Sequence, residues 1–540
     1  MGQGASVAPA ARRGLHRRRL VQAAAAWPLA ACAPAPAPLP QGGWIGAAHE
    51  RGHALRQSRP PEEDQAGQAA QATPRRASVL VLGGGIAGLA AARGFARAGV
   101  DDVHLLELED DPGGNSRGHA MAGMACPRGA HYLPQPQAPA HEVVEWLHEI
   151  GLLRHDARGT VADERHLCHA PQERLWFEGA WHEGLLPPAD PGSATMAQYR
   201  RFARAVAAAP HFAIPSHRVP WSAAHDALDR QSFAAWLDGQ GLSDARLRWA
   251  LDYACRDDYG AGPDEVSAWA GLHYFGSRHG FHAPGDAQDP PQPVFTWPEG
   301  NAWLVRRLAQ PLSGRVHGGR VVLRVREQRH GVQVLARHGR TLETWSAGTV
   351  VIALPLFVAA RVLDAPPQAL LQAAAATAYA PWLVANLQLE GPLRARPGVP
   401  PAWDNVRYGG AMLGYVDAMH QSLRPVTGAT VLTAYAALPA RARPELLAPA
   451  WAPWAERVLS ELAPLHPDLR QRMQRIDLQR WGHAMAIPRP GRQASAAARA
   501  ALRGGSGRVR FAHSDLAGYS IFEEAFIAGC EAAAAPCRCA

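Results

Sequence analysis

The sequence predicts an α/β fold in which a discontinuous Rossmann-like domain, made of three chain segments, carries an inserted mixed α+β domain. Three observations predict it. A strand, a glycine-rich turn, a helix and a second strand follow one another within residues 78–107, as in the βαβ unit of a parallel sheet. Three more strand-like runs lie between residues 320 and 355, and a short strand precedes a helix at 509–525.

The composition indicates a large globular chain. Its 540 residues are 47% hydrophobic, which is enough for about two to four domain-sized units. The formal net charge is +8, and residues 1–76, with ten Arg against four acids, account for +6 of it. A nucleic-acid-binding protein carries its basic charge on a folded face. We therefore predict no nucleic-acid partner.

The N-terminal 32 residues resemble an export signal. Three arginines, Arg17–Arg19, precede Leu20-Val21 and a short apolar run, in the manner of a twin-arginine signal. Leu29-Ala30-Ala31-Cys32 resembles a bacterial lipobox, so Cys32 is a candidate for lipidation and a membrane tether. The alternative is an Arg-rich extension with an incidental Cys. Export predicts a periplasmic or membrane-anchored bacterial protein, and residues 33–76 predict a flexible linker.

The seven cysteines and 25 histidines show no metal-ligand spacing, so we predict no metal site. An oxidising compartment permits disulfides, but the sequence assigns no pairing.

A dinucleotide fingerprint follows the first strand. Gly83, Gly85 and Gly88 have the G-x-G-x-x-G spacing directly after Ser78–Leu82. These glycines permit a tight turn, a close approach to a pyrophosphate and close helix packing, and the helix N-terminus at Ile86 and Ala87 offers N–H groups to phosphates.

The acidic residue at the end of the second strand indicates which dinucleotide the fold binds. Glu107 closes Val103–Glu107, where a carboxylate accepts a hydrogen bond from a ribose hydroxyl. Such an acid disfavours the 2′-phosphate of NADP and leaves FAD and NAD.

The next segment resembles the flavin amine oxidase and protoporphyrinogen oxidase superfamily, in which the second strand runs into a Gly-Gly-Arg turn. Here the turn is Asp110-Asp111-Pro112-Gly113-Gly114, followed by Asn115 and, two positions later, Arg117. The resemblance implies FAD, with Gly113, Gly114, Asn115 and Arg117 near its phosphates. Gly129–Tyr132 resembles the segment that closes over the flavin, although Pro127 replaces the usual Asp.

Two distant segments extend the resemblance. Trp297–Gly300 and the strands ending at Pro355 look like the family's second FAD segment, in which Val322 would hold adenine through its backbone. Val509–Phe511 and Asp515 look like the third, in which an acid contacts the ribityl chain or the phosphates. Ser520 and Glu523 have capping-box spacing, which predicts a helix from Ile521 with its positive end towards the flavin.

Two family features are missing. The chain has no Lys, whereas amine oxidases of this superfamily commonly place one near flavin N5; the corresponding strand here is Trp382–Leu387. The segment that tethers flavin through Cys in some relatives contains Trp481 and His483 and no Cys. We therefore expect noncovalent FAD, with a histidyl link through His483 as the alternative. Trp481 and His483 are candidates for the flavin site or, equally, ordinary packing residues.

These observations divide the chain into seven predicted segments. They are an export signal at 1–32, a linker at 33–76, FAD-binding segments at 77–135, 297–365 and 480–536, and substrate-domain segments at 136–296 and 366–479. Within the substrate domain we expect helices over His141–Leu153 and Phe233–Ala254 and a hairpin around Glu178-Gly179.

The predicted function is an FAD-dependent oxidoreductase that removes a hydride from a small organic molecule and passes electrons to O₂ or a quinone. Three alternatives stay open: an amine or amino-acid oxidase, a desaturase or porphyrinogen-type dehydrogenase, and a flavin-binding protein without turnover. The sequence assigns no catalytic residue, substrate or oligomeric state.

Overall fold

Two large sheets organise the chain. The computed structural model describes residues 1–2, 40–46, 49–57, 75–157, 159–278, 280–286, 293–422, 428–503, 505 and 507–534. Both sheets lie in one compact unit, Pro40–Ala540. The predicted export signal lies outside the described residues, apart from its first two.

The strands alternate with helices along the chain. The strands are β1 (Gln41–Trp44), β2 (Arg75–Leu82), β3 (Val103–Leu106), β4 (Gly118–Met121), β5 (Met124–Pro127), β6 (Tyr132–Pro134), β7 (Leu153–Asp156), β8 (Gly159–Ala162), β9 (Glu173–Phe177), β10 (Ala180–Glu183), β11 (Val294–Thr296), β12 (Val316–His317), β13 (Arg320–Gln328), β14 (Gly331–His338), β15 (Thr341–Ile352), β16 (Ala378–Leu389), β17 (Asp404–Arg407), β18 (Tyr415–Asp417), β19 (Thr430–Ala437), β20 (Met473–Ile487) and β21 (Val509–Phe511).

The α-helices are mostly short. They are α1 (His49–Gln57), α2 (Ile86–Arg97), α3 (His141–Glu149), α4 (Ala194–Ala207), α5 (Ala223–Asp229), α6 (Phe233–Gly239), α7 (Ala245–Tyr259), α8 (Ala268–Gly276), α9 (Ala302–Ala309), α10 (Leu356–Val362), α11 (Gln368–Ala376), α12 (Arg443–Leu446), α13 (Ala452–Leu462), α14 (Leu469–Arg472), α15 (Ala496–Leu502) and α16 (Phe522–Ala534). Within the described residues, none of them is long and apolar enough to cross a bilayer.

The first sheet is the predicted nucleotide-binding sheet. Its order is β12-β3-β2-β15-β14-β13, with β21 also paired to β15. The strands β12, β3, β2, β15 and β21 run parallel, and β14 and β13 are antiparallel additions. The inner strand β2 is buried along Val79–Leu82, as expected for a parallel strand covered on both faces. This sheet draws on all three predicted FAD segments.

The second sheet belongs to the predicted substrate domain. Its order is β1-β20-β16-β19-β18-β17-β9-β10, and most neighbours are antiparallel. The predicted hairpin forms between β9 and β10, and Glu178 and Gly179 both have positive φ, as a type I′ turn requires. Helices α4 to α8 pack into the core cluster that also contains β16 residues.

Three boundaries differ from the predictions. The predicted border at residue 480 falls inside β20, because this strand continues unbroken from the substrate sheet to Ile487. The helix predicted over Phe233–Ala254 is two helices, α6 and α7, since Gly241 has a φ of +62° between them. The helix predicted to end at Leu153 ends at Glu149, and Leu153 begins β7.

The predicted linker is partly ordered. Strand β1 pairs in parallel with β20, and the indole N–H of Trp44 donates to the carbonyl oxygen of Pro449 at 2.9 Å. Helix α1 docks through Arg51, which contacts the carbonyl oxygen of Leu108 and the carboxylate of Asp110. Composition alone therefore misassigned these residues, because their partners lie hundreds of residues away. Residues 58–74 of the predicted linker lie outside the described part of the chain.

Candidate active site

A cavity of about 490 Å³ lies between residues of the two sheets. Most of the candidate residues from the sequence line it. They are Gly83, Gly85, Ile86, Ala87, Glu107, Gly113, Gly114, Asn115, Trp481, His483, Asp515 and Ile521. These twelve residues come from the first and third predicted FAD segments, and Asn301, Ala353 and Pro355 of the second segment also line the cavity, which is the arrangement that a discontinuous cofactor domain requires.

Three candidates lie away from the cavity wall. Gly88 packs against the turn beneath it, and Val322 lies in the core of the first sheet. Arg117 is buried in an ion pair with Glu109 at 2.8 Å, and its guanidinium stacks on the indole of Trp481. The structure therefore gives Arg117 a role in holding Trp481 in place rather than a position on the wall.

The glycine cradle consists of Gly83, Gly85, Gly113 and Gly114. A Cβ added to Gly85 would meet no atom within 4 Å and would point into open space, whereas a Cβ on Gly88 would lie 1.9 Å from the carbonyl oxygen of Gly83. Gly88 is therefore needed for close packing, and Gly85 leaves the backbone open to a ligand. The N-terminus of α2 begins at the same turn.

Glu107 lies at the edge of the cradle. Its Oε2 accepts from the Gly84 N–H at 2.6 Å and its Oε1 from the Glu109 N–H at 2.9 Å. Burial raises the pKa of this carboxyl in spite of the two N–H donors. The carboxyl is fixed in orientation at the position predicted for the ribose of a dinucleotide.

Asp515, in the third FAD segment, is buried and has several hydrogen-bonding neighbours. Its Oδ2 accepts from the hydroxyl of Tyr379 at 2.5 Å and from the Leu356 N–H at 3.1 Å. Its Oδ1 is buried without a hydrogen bond, 3.2 Å from Nδ1 of His513. Burial acts to raise the pKa of Asp515, but His513 and these donors outweigh burial and hold the pKa below its ordinary value. An ionised carboxylate with a spare acceptor fits the predicted contact with a flavin cofactor.

Helix α16 brings its N-terminus to the cavity, but without the predicted capping box. The helix begins at Phe522, and the hydroxyl of Ser520 accepts from the N–H of Ala486 instead of capping the helix. Ile521 is the residue before the first turn and lines the cavity. The first-turn acid Glu524 is used elsewhere, since it accepts from the Ser216 N–H and the Tyr519 hydroxyl.

Trp481 and His483 both belong to the cavity wall. The indole N–H of Trp481 donates to the carbonyl oxygen of Arg128 at 2.8 Å, and the ring of His483 packs against Phe357 and Tyr379. None of the cysteines in the described ranges lines the cavity. The wall therefore offers no thiol for a covalent flavin link.

The substrate domain supplies residues that the sequence left unassigned. Asp257, Tyr379, Trp382 and Tyr435 line the cavity, next to Tyr132 of the segment that was predicted to close over the flavin. The segment 253–259 of α7 is rich in polar and aromatic groups, but no local pattern in it distinguishes Asp257 from a solvated acid.

Acidic groups gather at this side of the cavity. The hydroxyl of Tyr132 donates to Asp257 at 3.1 Å. Burial and the neighbouring Asp258 raise the pKa of Asp257 to about 6. Arg278 lies 3.9 Å from both Asp258 and Glu523, so one guanidinium serves two carboxylates.

Behind Asp257 lie two more acids. Glu173 and Asp404 are register partners in the parallel pair β9–β17. Burial and then Asp257 raise the pKa of Glu173 to about 7, and burial, Glu173 and Asp257 raise the pKa of Asp404 well above its ordinary value. We call Glu173, Asp257 and Asp404 the acidic cluster. In the described part of the chain, no group of three His, Cys, Asp or Glu residues is arranged to hold a metal ion.

The residues present fit FAD. The glycine cradle leaves room beside a helix N-terminus for a pyrophosphate, Glu107 is oriented for a ribose, and Asp515 keeps a buried acceptor without a donor. The remaining wall includes aromatic and apolar side chains, such as Tyr435, Trp382 and Val384, against which an isoalloxazine ring can pack.

Known proteins resemble this chain along most of its length. The family model for flavin containing amine oxidoreductase matches residues 86–535. The protein AofH of Mycobacterium tuberculosis, which is named as a flavin-containing monoamine oxidase, is 27% identical over 284 residues. That match covers 52% of this chain and 58% of AofH, so it spans little more than half of the relative.

Solved structures share the fold at low identity. Cyclohexylamine oxidase from Brevibacterium oxydans superposes with a TM-score of 0.62 at 19% identity, covering 85% of this chain and 98% of its own. Wild-type putrescine oxidase bound to putrescine superposes with a TM-score of 0.60 at 19% identity, covering 86% and 99%. A fatty acid isomerase from P. acnes reaches 0.58 at 17% identity, covering 84% and 97%. Because the family model covers most of the residues, the chain belongs to the flavin containing amine oxidoreductase family, and FAD is its cofactor.

Proposed function

We propose that this protein is an FAD-dependent oxidase that removes a hydride from the carbon beside the nitrogen of a small-molecule amine. The observation that carries the proposal is the single cavity that joins the glycine cradle to a wall of aromatic side chains and Asp257. The first side suits a dinucleotide. The second suits a small organic cation, because carboxylates and aromatic faces attract ammonium groups.

The wall favours the reacting form of an amine. When bound, FAD supplies a two-electron acceptor. Amine oxidation breaks a C–H bond, and the hydride leaves while the nitrogen lone pair forms a C=N bond, so the nitrogen must be neutral. Trp382 and Val384 line the cavity on the strand where relatives commonly place a Lys. Their apolar surface excludes water and favours the neutral amine over the ammonium ion.

The segment before α16 adds an electrostatic contribution. Ile521 and Phe522 line the cavity where the helix begins, and the free N–H groups of a helix N-terminus carry a partial positive charge. A flavin gains negative charge at its pyrimidine edge on reduction. Placing that edge at this helix end would raise its electron affinity.

The N-terminal sequence supports export of the folded protein and lipidation of Cys32. The support is the Arg-Arg-x-Leu-Val pattern at Arg17–Val21 and the Leu-Ala-Ala-Cys run that ends at Cys32. A membrane tether would give the enzyme access to a quinone as well as to O₂. Fractionation of cells that express the wild-type protein and Cys32→Ala tests this: we expect the wild type in the membrane fraction and the variant in the periplasm. Wild-type protein in the cytoplasm would contradict export.

Anaerobic reduction of the holoenzyme tests the proposed activity. We expect a primary amine to bleach the flavin absorbance, and O₂ to restore it with release of hydrogen peroxide. An apolar substrate for desaturation is the comparison. If only that substrate bleaches the flavin, the protein is a desaturase-type dehydrogenase, and if nothing does, it binds flavin without turnover.

A further inference from the structure

An N-terminal segment that precedes the first FAD segment lies against both sheets. It comprises residues 40–46, which include β1, and residues 49–57, which form α1, and we call it the strap. Strand β1 extends the second sheet by pairing in parallel with β20, and the N–H of Ile45 donates to the carbonyl oxygen of Leu478 at 2.8 Å. Helix α1 contacts the first sheet through Arg51 and Leu55. The strap therefore bridges the two sheets whose residues border the FAD cavity.

The strap meets β20 just before the residues of this strand that line the cavity. A Cβ added to Gly46 would overlap the guanidinium of Arg128, so the backbone of the strap packs directly against this side chain. Arg128 donates to Oε1 of Gln479 at 2.6 Å, and its carbonyl oxygen accepts the indole N–H of Trp481 at 2.8 Å. Trp481 lines the cavity. A single residue, Arg128, thus separates the strap from a side chain of the cavity wall.

Trp44 anchors the strap on the second sheet. Its indole N–H donates to the carbonyl oxygen of Pro449 at 2.9 Å, and the guanidinium of Arg480 lies 4.6 Å from the centroid of its ring. Arg480 is buried, and its Nη2 lies 3.1 Å from Nε2 of His49, at the start of α1. One arginine of β20 therefore contacts both parts of the strap.

Helix α1 holds the loop that runs from Glu107 to the glycine cradle. Arg51 donates to the carbonyl oxygen of Leu108 at 3.0 Å and to the carboxylate of Asp110 at 2.8 Å. Leu108 lines the cavity and directly follows Glu107, which is oriented for a ribose. Asp110 opens the turn that carries the second pair of cradle glycines. The strap therefore fixes the backbone at one edge of the cofactor site.

Apolar contacts hold the same loop. Leu55 of the strap and Leu108 pack against one buried apolar cluster. This cluster consists of Val321, Leu323 and Leu335 of β13 and β14. A Cβ added to Gly52 of α1 would lie 3.6 Å from Cδ1 of Leu108, which is ordinary van der Waals contact. Leu108 is thus held by α1 through both its backbone and its side chain.

We propose that the strap retains the cofactor: it holds the loop at Leu108 and Asp110 on one side of the cavity and Arg128 on the other, and so slows the release of FAD. None of its residues in the described ranges lines the cavity, so they are positioning residues and take no part in the chemical step. The proposal depends on the FAD site and goes beyond the proposed amine oxidation, because it holds for any substrate.

Retention of this kind is reciprocal. If docking of the strap strengthens FAD binding, FAD must strengthen docking of the strap by the same factor. A segment that only stabilises the fold would instead dock equally well in the apoprotein and in the holoenzyme. Hydrogen exchange can distinguish the two cases, because it measures how often a segment opens.

Hydrogen exchange of the wild-type protein tests the proposal without a substitution. We expect the amides of α1 to exchange at least about 5-fold faster in the apoprotein than in the holoenzyme. The reference is α13 (Ala452–Leu462), which does not line the cavity and records any general stabilisation by FAD. The same ratio of apoprotein to holoenzyme exchange in α1 and α13 would overturn the proposal.

Two variants loosen the strap at its two ends. Arg51→Ala removes the hydrogen bonds to Leu108 and Asp110, so the FAD dissociation rate should rise at least about 5-fold, as for the loss of one charge-assisted hydrogen bond. Trp44→Ala weakens the contact with β20 and should raise the rate in the same way. The rate is measured from the flavin fluorescence that appears on release, and the stability of each apoprotein from its thermal unfolding.

Arg97→Ala is the matched control. Arg97 is an exposed arginine at the end of α2 remote from the cradle, where it pairs with Glu149, so its loss should leave the FAD dissociation rate unchanged. Rates within about twofold of the wild type for both strap variants would overturn the proposal, because that is less than the effect of losing one hydrogen bond. Equal destabilisation of apoprotein and holoenzyme would also overturn it. FAD release is measured without substrate, so failure of amine oxidation leaves the test unaffected.

Discussion

The glycine cradle and the acidic cluster both border one cavity, the cluster through Asp257, and they are built by different means. The cradle is made of backbone: Gly83, Gly85, Gly113 and Gly114 come from two short turns and bind through space and N–H groups. The acidic cluster is made of side chains, with Glu173, Asp257 and Asp404 on three separate elements. The cradle depends on glycines that have no side chains. The acidic cluster depends on carboxyl groups that have no ion-pair partner among the described residues.

This difference explains how each region should respond to mutation. In and beside the cradle, an added methyl group either meets backbone, as at Gly83 and Gly88, or fills space left for a ligand, as at Gly85, so small changes should have large effects. In the acidic cluster, removal of a charge relieves repulsion between carboxylates, so the free energy of unfolding should rise.

The largest effects are expected at Gly85 of the cradle and at Gly88, which packs beneath it. Gly88→Ala puts a Cβ 1.9 Å from the carbonyl oxygen of Gly83, so we expect the free energy of unfolding to fall by at least about 3 kcal/mol and FAD to be lost. Gly85→Ala meets nothing within 4 Å, so the apoprotein should unfold normally while FAD binds at least about 100-fold more weakly. Thermal unfolding and FAD titration measure the two effects.

Gly239→Ala is the matched control, because a Cβ there also has open space but lies at the end of α6, away from the cavity. It should change neither measurement. If Gly85→Ala bound FAD as tightly as the wild type, the cradle would not be the pyrophosphate site.

A smaller effect is expected at Asp515, on the third cofactor segment. Asp515→Ala leaves the Tyr379 hydroxyl and the Leu356 N–H buried without an acceptor, so the free energy of unfolding should fall by about 2–4 kcal/mol, and FAD affinity should fall with it. Tyr379→Phe removes one of these donors and should cost about 1 kcal/mol with FAD still bound. An Asp515→Ala protein that held FAD normally would exclude Asp515 as a cofactor contact.

The smallest effect, and opposite in sign, is expected in the acidic cluster. The pKa of Glu173 is raised from 4.5 to about 7 in the folded protein, so the stability linked to its proton is complete below about pH 4.5 and is lost as the pH rises through 7. The groups that face it are Asp257, Asp404, Tyr253 and Tyr274. Glu173→Gln stays neutral and avoids this loss.

We therefore expect Glu173→Gln to be more stable than the wild type by on the order of 1–3 kcal/mol at pH 8 and nearly equal to it at about pH 4. Thermal unfolding at the two pH values measures the difference. Equal stability at pH 8 would mean that Glu173 has a compensating partner and that the charge imbalance is absent.

The contrast between the cradle and the acidic cluster also explains which parts of the site could be predicted from the sequence. Gly83 in the cradle and Glu107 at its edge belong to local motifs, because turn geometry and strand ends are encoded within about 30 residues. Asp515 and Ile521 were found through a resemblance over a distant segment. Gly88, Arg117 and Val322 were predicted to bind the cofactor but do not line the cavity, because the direction of a side chain depends on packing that a motif does not record.

The acidic cluster could not be predicted from the sequence, for a different reason. Glu173 and Asp404 meet only because β9 and β17 pair in register across 230 residues of chain, and Asp257 joins them from a helix. Nothing local distinguishes these acids from solvated ones. The ordered β1 and the unbroken β20 were missed similarly, since strand pairing with a distant partner overrides a composition that favours a linker.

The visible absorption spectrum of the purified protein, recorded before and after acid precipitation, tests the central claim most directly. We predict a flavin spectrum whose colour passes into the supernatant, because the glycine cradle holds FAD and none of the cysteines in the described part of the chain lines the cavity to tether it. Colour that stayed in the pellet would contradict noncovalent binding and implicate His483. A colourless protein that took up no added FAD would contradict the cofactor site itself.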